Sequence, residues 1–318
     1  MADNLITLAD MVKVNDVSIV DAGVSDIFND APVLAALAAD VASHGTNHQY
    51  LKEVGAPVVG FRATNAGRPH SKSTDELITI ALKILDATHK QDAKLADSYP
   101  KGGAPAFMAR ESRRHLRSGM KTAEKQIFYG TGNDADGFAG LADNAGLNAV
   151  ADAMVLDAGG AIGAASWMDV WLIRSTSDHA NLELIVGQDG NIELREYFRQ
   201  LVRDGSGNDF PAYVQQIDGW LGCKVGGAFS VARIVNIDAR VDASANTVTD
   251  DLLDDAFELF PEEAPPTHII MNKRGRKQLR QSRTATRSDG AAAPMPTEWE
   301  GIPIITTSSI EAYGAKVA

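Results

Sequence analysis

The stretch Tyr129 to Leu141, YGTGNDADGFAGL, gathers the residue types that bind phosphate or calcium. Glycines free backbone N–H groups to cradle an anion, and spaced carboxylates ligate a hard cation. Each template fails at a named position. A dinucleotide fingerprint, G-x-G-x-x-G, sits between a strand and a helix. Here Gly130 and Gly132 are followed by Ala135, and they come after a helical pattern. A Walker loop needs Gly-Lys-Ser/Thr, which the chain lacks. An EF-hand register with Gly137 at position six places Gly132 at the first ligand position. It places Asp143 at the twelfth, where glutamate is usual, so only Asp134 and Asp136 fit. What is left is a helix stopped by left-handed glycines and followed by a tight turn.

Other reactive residues lead no further. His44 and His48 have i, i+4 spacing, but Gly45 stands where a zinc-protease helix carries glutamate. Cys223 lies beside Lys224, a neighbour that can lower a thiol pKa. The setting GWLGCKVGG reads instead as a small residue in a buried strand. No G-x-S-x-G elbow occurs. The basic series Lys273, Arg274, Arg276, Lys277, Arg280, Arg283 and Arg287 suits either a polyanion or the acidic segment near 250–263. Pairing within or between subunits is favoured. Six basic residues between 110 and 125 pose the same choice, diluted by Glu111 and Glu124. No catalytic constellation stands, so no enzyme activity, cofactor or metal is expected.

Composition narrows the classes further. The chain has 318 residues, 44% of them hydrophobic, and a formal charge of −12. It is long enough for two or three compact units. The acidic balance argues against sequence-specific nucleic-acid binding. A single cysteine excludes an intramolecular disulfide and fits a reducing compartment. The first residues lack a signal-peptide pattern, and no apolar run is long enough for a membrane span. The expectation is a protein made in the cytoplasm without an anchor.

The elements that position these residues follow from periodicity. Residues 1–30 read as an extended or partly helical arm. Pro32 and the apolar spacing after it predict a short helix over 31–43. Tyr50 to Arg62 reads as a strand, Thr64 to Thr74 as turn chemistry, and Leu77 to Ile84 alternates with period two. Together these predict a long two-stranded flap with a polar tip, marginal alone and in need of another surface. Met108, Leu116, Met120, Ala123 and Ile127 fall on one stripe of a helix over 105–129, roughly 35 Å long. Beyond residue 140, WMDVWLI, NLELIVG, FSVARIVNI, THIIMN and the stretch EWEGIPIITTSSI read as strands. TDDLLDDAFELF reads as an acidic helix and RGRKQLRQSR as a basic one. The stretch DGAAAPMPTE reads as a flexible loop.

This order resembles that of tailed-bacteriophage major capsid proteins of the Hong-Kong-97-like capsid fold. The most specific part is the phrase FYGTGNDADGFAGL after the long helix. WLGCKVGGAFSVARIVNID, IIMNKRGRKQL and WEGIPIITT resemble, in order, the axial stretch and closing segments of one capsid subgroup. The resemblance covers about residues 30 to 310. It implies an α+β chain with an N-terminal arm at 1–30 and a short helix of the peripheral domain at 31–45. The β-hairpin E-loop falls at 46–76. The peripheral domain follows at 77–140 with its spine helix over 105–129. The axial domain falls at 141–310 and a tail at 311–318.

The function implied is a structural protein. It self-assembles through pentamers and hexamers into an icosahedral shell around double-stranded DNA, held without sequence-specific binding. Implied partners are further copies of itself, a portal and a separate scaffolding or decoration protein. Implied locations are the virion and, during assembly, the host cytoplasm. An encapsulin-type cargo shell and an α/β nucleotide-binding enzyme stay open as alternatives. Interface candidates are a basic flap tip, Arg62, Arg68 and Lys72, and an acidic helix surface, Asp250, Asp251, Asp254 and Asp255. Gly130, Gly132, Gly137, Phe138 and Leu141 are expected to form a hinge after the spine helix.

Overall fold

The computed structural model describes residues 12–14, 30–55, 57–69, 71–159, 166–177, 181–187, 192–240, 245–285 and 291–318. The expected arm therefore lies almost wholly outside the described residues, as does Arg287. Strand β1 (Val12–Val14), helix α1 (Pro32–Ala36) and β2 (Ala39–Val41) precede a ribbon of β3 (Asn47–Gly55) and β4 (Thr74–Ala81). β5 (Lys83–Asp86), β6 (His89–Asp92) and α2 (Ala93–Asp97) lead into the long helix α3 (Gly103–Tyr129). Then come β7 (Val155–Asp157), β8 (Trp167–Ile173), β9 (Leu182–Val186) and β10 (Ile192–Leu194). β11 (Phe198–Arg203), β12 (Asp209–Gln215), β13 (Ile217–Val225) and β14 (Val231–Asp238) follow. α4 (Asp250–Phe257), β15 (His268–Met271), α5 (Lys273–Ala285), β16 (Glu298–Trp299) and β17 (Ile302–Thr306) close the chain.

Helix α3 follows the predicted stripe: Met108, Leu116, Met120, Ala123 and Ile127 are all buried. Its 27 residues span roughly 40 Å, a little longer than expected because it starts at Gly103. Helix α1 has proline in its first turn but stops at Ala36, not near 43. The difference comes from pairing. Residues 39–41 leave the helix to lie parallel to β9, Ala39 opposite Leu184. Helix α4 starts where Thr249 Oγ1 accepts the N–H of Leu252 at 3.1 Å, and it buries Leu253 and Ala256.

Three multi-stranded sheets are built from these pieces. One runs β1-β10-β13-β9-β2, with β5 on the other edge of β13. A second runs β11-β12-β6 and a third β16-β17-β15-β8-β14-β7. The first two join strands from before and after residue 140. β8 is buried along its whole length, so its continuous apolar run reads as a central strand. Its Trp171 meets Phe128 of α3, ring centroids 5.8 Å apart. One core cluster thereby links α1, α3 and residues of the first and third sheets. The fourth sheet is the pair β3-β4, joined among the described residues only to each other.

Candidate assembly surface

The β3-β4 flap has two unlike faces. Its register sets Tyr50 opposite Ile78 and Leu51 opposite Leu77. On the inner face, Tyr50 OH donates to the Val225 carbonyl at 2.9 Å. The Lys224 ammonium lies 5.2 Å from the Tyr50 ring centroid and 2.7 Å from Glu183, both charges buried. A buried pair of this kind costs desolvation. Its role here is to put a cation beneath the tyrosine ring and fix the flap root. Burial, with the neighbouring Cys223 and Glu76, pushes the Tyr50 hydroxyl up to about 12. Burial also pushes the Cys223 thiol up to about 12, so Lys224 does not activate it.

On the outer face, Leu51 and Leu77 are 67% and 60% exposed. Directly opposed apolar side chains normally mark the covered face of a sheet. Toward the tip, Val58, Val59 and Phe61 are also exposed. The tip turns at Asn65, which has φ 65; asparagine tolerates that region better than other non-glycine residues. Ser71 Oγ accepts the Val58 N–H at 2.6 Å and holds the two limbs together. Of the expected basic residues, Arg62 donates to the Ala66 carbonyl at 3.1 Å. Arg68 lies against Gly60, where any side chain would collide with its guanidinium. Lys72 is exposed on the return limb.

The turn after α3, expected as a hinge, is a tied corner. Gly130 has φ 49, and a Cβ there would run into the Asp143 carboxylate and the Gly140 N–H. Only glycine fits. Gly132 does not share this role: it has no positive φ and open space around it. It sits in a short 3-10 turn, Gly130–Gly132. Asp143 accepts the Thr131 N–H at 2.8 Å, the Thr131 hydroxyl at 2.6 Å and the Gly140 N–H at 3.0 Å. Burial raises its carboxyl, but these bonds outweigh burial and hold it below the usual range. Gln126 donates to the Phe138 carbonyl at 2.8 Å and accepts from Asn133 at 2.8 Å. A Cβ on Gly137 would strike the Gln126 carboxamide. Phe138 and Leu141 are buried as expected. Asp143 is thus a structural acceptor, and among the described residues no group of three His, Cys, Asp or Glu is placed to hold a metal.

The acidic and basic helices engage each other. Arg283 pairs with Asp250 at 2.6 Å, which removes Asp250 from the set available to a flap. Asp251, Asp254 and Asp255 remain exposed. Arg276 and Arg280 donate to the carbonyls of Pro296 and Ala293 at 2.6 and 2.7 Å. Arg276 and Arg280 therefore staple the loop at 291–297, and with Arg283 these three members of the basic series are engaged within the chain. On α3, Arg110 and Arg114 share Glu111, Arg117 meets Asp30, and Lys125 meets Glu311.

Buried polar centres on helix α3 were not foreseen. Glu124 accepts the Val33 N–H at 2.8 Å and the Thr307 hydroxyl, tying α1 and the closing strand to α3. Burial pushes its carboxyl up against the pull of these donors. Its place between Met120, Ile127 and Phe128 on the apolar stripe was the available signal. His89 is buried where β6 meets α3, stacked on His115 at 4.6 Å and 3.2 Å from Ser112 Oγ. Burial and His115 lower its pKa to about 4, against Glu111.

The family model described as "Major capsid protein GP7" matches residues 21–318. The chain belongs to this family of major capsid proteins. As a capsid protein it has a structural role in a phage shell, and its α+β architecture is the Hong-Kong-97-like capsid fold. The solved structure of bacteriophage Epsilon15 is similar, at TM-score 0.63 and 20% identity over 88% of each chain. The bacteriophage JBD30 capsid aligns at TM-score 0.47 and 10% identity, over 85% of this chain and 88% of that one. No curated protein matches the capsid chain in sequence. Among the described residues no helix is long and apolar enough to cross a membrane.

Proposed function

We propose that this capsid protein closes pentamers and hexamers of itself into an icosahedral shell around double-stranded DNA. The observation that carries the reading is the flap. Among the described residues two strands pair only with each other, and an apolar pair on their outer face is left largely in water. A two-stranded ribbon of this kind is marginal until another surface covers it. Neighbouring copies supply that surface in a closed assembly. The formal charge of −12 suits a container that does not adhere to its polyanionic content.

The division into arm (1–30), short helix (31–45), E-loop (46–76), peripheral domain (77–140), axial domain (141–310) and tail (311–318) is part of this reading. Strands β9, β12 and β13 of the fifth segment pair with β2, β6 and β5 of earlier segments. A portal, a separate scaffolding or decoration protein and assembly in the host cytoplasm complete the proposal. The test is negative-stain microscopy of the purified chain. Shells or capsomer rings support it; a monomer or dimer at high concentration overturns it. DNA rather than enzyme cargo inside particles from infected cells separates a virion from an encapsulin-type shell.

A further inference from the structure

We infer that the solvent face of helix α3 contacts the phosphates of duplex DNA, as a stripe of cations on a chain that is otherwise acidic. This rests on the shell reading, which supplies duplex DNA as the content, and it names the side chains that meet that content.

Six cations and two carboxylates occur in α3. Arg110, Arg114, Arg117 and Lys121 follow one another at spacings of four, three and four residues, so they stack on one side of the helix. Arg113 lies three residues from Arg110 and four from Arg117, on the edge of the same stripe. All five are exposed, turned away from the buried Leu116, Met120, Ala123 and Ile127. From Arg110 to Lys121 the stripe runs roughly 16 Å. Of the two carboxylates, Glu124 is buried in the core, and Glu111 is shared by Arg110 and Arg114. Arg113 and Lys121 enter no ion pair among the described residues. Arg114 and Arg117 stay 62% and 53% exposed within their pairs. Pairs that exposed hold their cations weakly, and a phosphate can compete for them.

The chemistry of this face selects DNA over a protein partner. None of the exposed large apolar side chains among the described residues lies on α3, whereas the centre of a protein interface is apolar and poor in charge. Phosphate contact needs only cations and neutral donors. Four of the five cations are arginine, whose planar fork matches a phosphate. Ser118 and Thr122 stand exposed beside them and add hydroxyl donors. A duplex carries one negative charge per ~1.7 Å of axis, so one laid along the stripe brings on the order of ten phosphates past it. The formal charge of −12 does not cancel this attraction. Screening acts over about 8 Å at physiological ionic strength, so acidic surface further away is damped. The result is a local contact on a body that repels DNA elsewhere. Helix α5 is the weaker candidate. Its Arg276, Arg280 and Arg283 are held by carbonyls and by Asp250, and the helix it engages, α4, exposes Asp251, Asp254 and Asp255.

The test titrates the full chain into short fluorescent duplexes of unrelated sequence, from about 50 to 200 mM salt, and follows their anisotropy. Arg113→Gln/Lys121→Gln removes two cations that hold no carboxylate in the chain, so circular dichroism and melting are expected to match the parent's. Two lost phosphate contacts should reduce the slope of log K against log salt by about 1.8. Affinity at the low-salt end is expected to fall about tenfold, and equally for each duplex. Lys273→Gln/Lys277→Gln on α5 should leave slope and affinity unchanged. Lysine acetylation read by mass spectrometry then tests the particle. Lys121 is expected to label several-fold less in DNA-filled particles than in the same particles emptied of DNA, and Lys273 equally in both. A parent that binds no duplex, or an α3 variant with the parent's slope, overturns the inference. So does a slope that moves with the α5 pair instead, or equal labelling of Lys121 in filled and emptied particles. Poly-glutamate that displaces the duplex at equal charge would assign the stripe to an acidic protein segment, which also overturns it. Particles that hold no DNA contradict the shell reading instead, while the anisotropy still decides the stripe.

Discussion

The corner at 129–143 and the flap at 47–81 both lean on glycine and polar side chains, yet they end in opposite states. The corner closes its hydrogen bonds inside the chain, through Gln126 and Asp143. The flap ties down one face through Tyr50 and leaves Leu51, Leu77 and the tip in water. One region is complete in a single copy and the other is not. The difference separates residues that govern folding from residues that govern association. A substitution in the first should act before assembly, and one in the second only at assembly.

The largest effect should come from breaking the complete region. Gly130→Val combines a β-branched side chain at φ 49 with collisions against Asp143 and Gly140. A loss above about 4 kcal/mol is expected in urea unfolding, enough to abolish soluble protein. Gly132→Ala, two residues on, should stay within about 0.5 kcal/mol, since nothing surrounds that position. Similar losses at both positions would deny that the corner is tied at Gly130.

The incomplete region should behave in reverse. Leu51→Ser with Leu77→Ser removes apolar surface that one copy leaves mostly exposed. The unfolding free energy of the lone chain is expected to change by less than about 0.5 kcal/mol. Particle yield by sedimentation should nevertheless collapse. Unfolding and assembly that fall together would place this face inside the monomer's own stability.

A smaller, graded effect is expected at the base of α3. His89 is neutral in the fold with a pKa lowered to about 4, from an ordinary 6.5. The unfolded chain therefore binds the proton first, and stability falls as pH drops from above 6.5 toward 4. Roughly 1–2 kcal/mol should be lost by pH 5. His89→Gln should flatten that part of the profile; an unchanged slope would assign it to other groups.

The legible parts of this fold were those where one face or one run is apolar. Helix α3 and strand β8 carry such patterns and match their reading; the flap exists as expected, but its first strand ends at Gly55 rather than Arg62, and the alternating run Leu77 to Ile84 is split between β4 and β5, which pairs with β13. The β11-β12 hairpin was missed because Phe198 to Arg203 is exposed on both faces except near Val202, so its residues show no alternation. Helix α1 was read too long because its end depends on a strand, β9, more than 140 residues away in the chain. At the candidate site, the exposure of Leu51 and Leu77 was hidden: an apolar strand residue looks the same whether its cover comes from its own chain or another. The special role of Gly130 over Gly132 depends on Asp143 folding back, which no local pattern reports.

Hydrogen exchange of the lone chain against assembled particles tests the central contrast most directly. Corner amides, such as those of Thr131 and Gly140, should be protected in both states. Flap amides from 47 to 81 should exchange quickly in the lone chain and slow at least a hundredfold on assembly. Equal flap protection in both states would contradict the account, because the flap would then need no neighbour.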